Sequence, residues 1–138
     1  MLGQQIGEEN GRVTGRRILP GDDYRYVKME ISFETNVTLF GAPGMNAGTY
    51  TVYERVPGQI YGEGQGIVML QSGESAIWNA HGVGRPTGEG AGMKIAGSVA
   101  FQAGQGKLAR LNEVLVAVEH EAADDGSVHS KLWEWTCQ

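Results

Sequence analysis

The sequence predicts an all-β chain folded as a single antiparallel up-and-down β-barrel of about eight strands. Three observations carry this. Segments of alternating apolar and polar residues recur at short spacing between clusters of turn residues, as strands with one dry and one wet face do. No segment has the length and period of a crossover helix, so neighbouring strands join as hairpins. Finally, the 22 glycines of the 138-residue chain are more than twice the ordinary share and fall inside these segments as well as between them. In Tyr61-Gly62-Glu63-Gly64-Gln65-Gly66, leading into Ile67-Val68-Met69-Leu70, glycine takes every second position. Side chains in a strand point to opposite faces in turn, so Ile60, Gly62, Gly64, Gly66, Val68 and Leu70 share one face. Interior glycine marks a bend or a close approach to the backbone, and a stripe of it suits a sheet coiled tightly enough to close. A two-sheet sandwich is the alternative, with fewer glycines inside strands and longer connections.

Residues 1–10 show no periodicity and read as a loose N-terminal arm, which leaves 11–138 as one barrel domain. Arg12 to Leu19 forms a first strand, closed by the turn residues Pro20-Gly21-Asp22-Asp23. Val27, Met29, Ile31 and Phe33 alternate with polar residues in a second strand that continues through Val37 and Leu39. Gly41 to Gly48 reads as a loop on composition. Thr49 to Arg55 is β-branched and aromatic, and Pro57-Gly58 turns it into the glycine-stripe strand. Ala76 to Gly84 returns antiparallel, Arg85 to Gly92 is a loop, and Met93 to Phe101 alternates cleanly as a sixth strand. Lys107-Leu108-Ala109-Arg110-Leu111-Asn112 holds at most one helical turn. Val114, Val116 and Val118 open a seventh strand. Asp125-Gly126 is a two-residue hairpin signal, and Val128 to Thr136 is the eighth strand. On that register Val118 faces Trp133 and Val116 faces Trp135, and Leu115, Ala117 and Leu132 share the opposite, outer face.

A formal net charge of -5 with no basic patch argues against nucleic-acid binding. Nowhere is there an apolar run long enough for a membrane helix, and the polar start carries no secretory signal, so the expectation is a soluble cytoplasmic protein. The single cysteine, Cys137, makes no internal bridge. His81, His120 and His129 lie on different strands without a familiar ligand spacing, so neither a metal nor a cofactor is expected.

The segments Gly11 to Leu19, Gly48 to Thr51, Tyr61 to Gly66, Gly82 to Arg85, Lys107 to Asn112 and Lys131 to Trp135 resemble a family of small uncharacterised bacterial proteins. The resemblance covers nearly all of residues 11–135. In layout that group is similar to the avidin-like and lipocalin-like barrels, the calycins, although the lipocalin Gly-x-Trp and the biotin and retinoid motifs are absent. The family supplies no catalytic residues.

Chemistry is therefore sought in cross-strand pairs. A three-residue loop Gln71-Ser72-Gly73 sets Leu70 opposite Glu74, which places Gln65 against Asn79 and Glu63 against His81 on one face, with Trp78 over Gly66 on the other. If the first face is interior, Glu63 and His81 form an acid-base pair for an isomerisation or cyclisation, with Tyr61, Gln65 and Asn79 orienting the substrate. If it is exterior, the pair is an ordinary solvated contact worth less than about 1 kcal/mol. The preferred function is non-enzymatic: a barrel holding an apolar or aromatic small molecule against Trp78 or the Trp133 and Trp135 pair. A filled barrel that associates through its outer apolar residues as a homodimer is the third reading.

Overall fold

The computed structural model describes residues 2–21 and 28–137. Eight strands follow in order: β1 (Leu2–Leu19), β2 (Lys28–Leu39), β3 (Ala42–Val56), β4 (Gln59–Leu70), β5 (Ser75–Pro86), β6 (Met93–Ala103), β7 (Leu115–Ala122) and β8 (Ser127–Trp135). Each pairs antiparallel with its neighbours in sequence, and β8 pairs with β1, closing the barrel. The expected up-and-down barrel is thus the fold. Asp22, Asp23 and Val27 lie outside the described residues.

Two expectations about the first and third strands need correction. Residues 2–10 are no loose arm: they form the first half of β1, whose 18 residues pair with β8 from Leu2 to Arg12 and with β2 from Gly7 to Leu19. Register shifts along β1 break its alternation, so the sequence shows no clean period there. Nor are residues 42–48 a loop. Phe40 and Gly41, both at positive φ (50° and 79°), make a two-residue turn, and β3 starts at once. Its glycines are filled positions: a Cβ on Gly48 would sit 2.5 Å from Trp78 Cζ2.

Two hairpins show how turn chemistry sets which residues face inward. At Gln71-Ser72-Gly73 the Leu70 N–H bonds the Glu74 carbonyl, and Gly73 takes a left-handed conformation (φ 97°). This is the expected three-residue loop, and it pairs Glu63 with His81 and Gly66 with Trp78 as expected. At the β7–β8 hairpin the two-residue expectation is wrong. Asp124-Asp125-Gly126 is a second three-residue loop, with Gly126 at φ 88° and the Ala123 N–H bonded to the Ser127 carbonyl. Asp125 Oδ1 accepts from the Ser127 amide at 2.9 Å and from its hydroxyl at 2.7 Å, which stabilises the longer turn and holds the Asp125 carboxyl below its usual range. The register moves by one residue, so Val118 faces Leu132 and Ala117 faces Trp133, while Leu115 faces Trp135. A one-residue slip exchanges the faces.

The dry face lies inside the barrel. Ile31, Phe33, Val37 and Leu39 come from β2, Val68 and Leu70 from β4, Ala76 and Trp78 from β5, and Val116 and Leu132 from β7 and β8. Where β6 leaves off and β7 begins, a 3₁₀ helix (Lys107–Asn112) turns Leu108 and Leu111 into this core. Asn112 anchors it by exchanging two hydrogen bonds with the Ala103 backbone, at 2.8 and 2.9 Å.

Candidate functional site

The glycine stripe faces inward. Gly66 is covered by Trp78, which lies across β3 and β4 against Gly48 and Gly66 and stacks on Phe33 at 6.2 Å. Farther along β4 nothing comparable covers Gly62, where an added Cβ would find Val52 Cγ1 at 3.3 Å and only looser neighbours beyond. This leaves a cavity of about 100 Å³ inside the barrel. Its wall is largely apolar, with Ile95, Val99, Phe101 and Val118 joined by Phe33, Tyr50, Trp78 and His120.

One part of the wall is a continuous hydrogen-bonded chain. Trp78 Nε1–H donates to Asn46 Oδ1 at 2.8 Å, and Asn46 Nδ2–H donates to Glu9 Oε2 at 2.8 Å. The Thr35 hydroxyl donates to the same oxygen at 3.2 Å, and the Ser130 hydroxyl also bonds Glu9. Ser130 Oγ in turn lies 2.9 Å from His120 Nδ1, and His120 Nε2 lies 3.2 Å from the Tyr50 hydroxyl. With the Ser130 proton directed at Glu9, Nδ1–H of His120 donates to Ser130 and Tyr50 donates to Nε2, which assigns the neutral tautomer. No buried side-chain nitrogen or oxygen among the described residues lacks a partner.

Burial dominates the electrostatics. Glu9 is 4% exposed, and desolvation raises its pKa against the opposing hydrogen bonds from Asn46, Ser130 and Thr35. Desolvation pushes His120 down to about 4 and raises Tyr50, so both are neutral near pH 7. The site joins two buried titratable groups through one serine.

The expected site residues divide between the two faces. Trp78 is inside. Tyr61, Glu63, Gln65, Asn79 and His81 all point outward, so Glu63 and His81 are cross-strand partners on the exterior and the inward face that their acid-base reading required is not theirs. The physical reason is that Trp78 takes the inside of β5, and strand alternation sends its odd-numbered neighbours out. Glu63 instead accepts from the Tyr61 hydroxyl at 3.2 Å, and Tyr61 stacks under the Arg55 guanidinium, 4.1 Å from the ring centroid. Trp133 and Trp135 are outside as well, and Leu132, expected outside, is buried.

Glu9, Thr35, Asn46, Tyr50, His120 and Ser130 escaped the sequence reading. His120 had a signal, since it continues the alternating row Val116, Val118 on the inner face. Glu9 had none, because β1 shifts register beside it.

No protein-family model matches the chain, and no curated protein sequence matches it significantly. Solved structures do. A protein with unknown function from Clostridium acetobutylicum ATCC 824 superposes with a TM-score of 0.82 at 12% identity, covering 97% of each chain. A conserved protein of unknown function from Rhodopseudomonas palustris gives 0.79 at 15% identity, again over 97% of each. A beta-barrel-like protein from Acinetobacter baumannii AYE gives 0.80 at 9% identity, over 97% of this chain and 94% of that one. What this chain shares with them is the fold.

Proposed function

We propose that this barrel is a binding module for a small molecule of largely apolar surface, held inside it against Trp78. The observation that carries the reading is the cavity of about 100 Å³ beside the glycine stripe. Protein interiors are packed to near-crystalline density, so unfilled space walled by aromatic and aliphatic side chains is the usual mark of a ligand pocket. A cavity of about 150 Å³ holds benzene, which scales this one to a ligand of about four heavy atoms. The wall's polar atoms already have partners, so a ligand gains chiefly by burying apolar surface. Thermal-shift screening against small aromatic and branched aliphatic probes is expected to find stabilising ligands. Gly62→Ala, which adds a methyl group at the cavity wall without a backbone clash, is expected to fold and to weaken those ligands by about tenfold, the worth of one to two buried methylenes. A broad set without any stabilising ligand, or hits that Gly62→Ala leaves untouched, would refute the reading.

A second reading concerns the outer wall. Leu2, Trp135 and Leu115 pair in one row across β1, β8 and β7 and are 52%, 50% and 43% exposed. With Ala117 and Trp133 in the adjoining row they form an apolar strip. Strips of this kind mark association surfaces, and a second copy joined by a two-fold axis is the commonest occupant. Light scattering at tens of micromolar is expected to give the dimer mass, and Leu115→Lys the monomer mass; a monomeric native protein would remove the idea.

A further inference from the structure

We infer that the cavity selects a small methylated ammonium ion over a neutral molecule of the same shape, because aromatic rings and a buried carboxyl group with no lysine or arginine partner meet at its wall. The inference rests on the binding reading above and names its ligand class. Phe33, Tyr50 and Trp78 line the cavity together with Phe101. Phe33 lies 5.8 Å from Tyr50 and 6.2 Å from Trp78, so it joins the three ring systems in one cluster along the wall. Ring faces carry negative potential, and a cation within about 6 Å of several of them is attracted to each. Glu9 lines the same cavity, and among the described residues no lysine or arginine forms an ion pair with it; His129 is the basic group that acts on it electrostatically.

Hydrogen-bond satisfaction narrows the cation. Because every buried side-chain polar atom among the described residues already has a partner, an ammonium that brings several N–H donors would lose its water and compete for acceptors that are already engaged. A quaternary ammonium spreads its charge over methyl groups and needs no hydrogen bond. It presents apolar surface to Ile95, Val99 and Val118 and positive charge to the rings and Glu9. Tetramethylammonium, with about five heavy atoms, is close in size to the ligand of about four that the cavity volume scales to.

The test titrates the whole chain with tetramethylammonium, tert-butanol and methylammonium at constant ionic strength, following ligand-induced NMR shifts. Tetramethylammonium is expected to bind at least about tenfold tighter than tert-butanol, with methylammonium weaker than both. Glu9→Gln and Phe33→Leu are each expected to cut that preference severalfold while tert-butanol binding changes little. Equal or tighter binding of tert-butanol in the native protein overturns the cation selectivity and leaves the cavity as a neutral site. A preference unmoved by both variants overturns the assignment to Glu9 and the rings. If none of the three binds, the binding reading itself fails and takes this inference with it.

Discussion

Trp78→Ala is expected to lower stability by about 3–5 kcal/mol, the range for deleting a buried tryptophan. The upper part of that range applies because the surroundings have little with which to refill the space. The ring lies against Gly48 and Gly66, so its loss leaves a void against bare backbone on two strands. Asn46 Oδ1 also loses its donor at the buried end of the Glu9 chain. The same geometry predicts a coupling. A Cβ on Gly48 would meet the Trp78 ring at 2.5 and 2.7 Å, so Gly48→Ala alone destabilises by overpacking, whereas in the Trp78→Ala background it fills part of the void. Urea denaturation of the four proteins of that cycle should show the double variant more stable than the sum of the single changes. Additivity would mean that the ring does not cover Gly48.

The second large effect is on acid stability. Burial holds His120 at about 4 when folded, against an ordinary value of 6.5. A depressed folded value means that the unfolded chain binds the proton more readily, so this contribution is present above pH 6.5 and is lost as pH falls towards 4. At about 1.4 kcal/mol per unit, the loss is on the order of 3 kcal/mol. Glu9 acts in the opposite sense: its raised value favours the folded state below about pH 4.5 and is lost as pH rises through its folded value. The native curve is a sum of opposing contributions, so the readout is a difference. Between pH 7 and pH 4 the native protein should lose about 3 kcal/mol more than His120→Gln does. Parallel pH dependences would show that His120 is not desolvated in the folded protein.

The fold was legible because a barrel's signals are local. Alternation marked β2, β4 and β6, and the Gly73 loop gave the β4–β5 register and with it the Trp78–Gly66 contact. The same turn chemistry at Gly126 was hidden because Asp-Gly also suits a two-residue turn; a decision between two and three loop residues reverses both faces of β8. The site was less legible. Its residues come from six strands, and no spacing in sequence links Glu9 to Ser130 or Tyr50 to His120. Glu63 and His81 were correctly paired, but pairing does not tell inside from outside. The covering of Gly66 by Trp78 was the clue to the inner face, since a bulky ring over bare glycine fills an interior.

The most direct measurement of an internal binding site follows the indole N–H resonances of the 3 tryptophans during ligand titration. Trp78 faces the cavity, while Trp133 and Trp135 lie on the outer wall, so the three report separately on inside and outside. Tetramethylammonium and any thermal-shift hit are expected to move the Trp78 resonance saturably and leave the other two in place. A saturable shift confined to Trp133 or Trp135, with Trp78 unmoved, would place the ligand on the exterior and contradict the account.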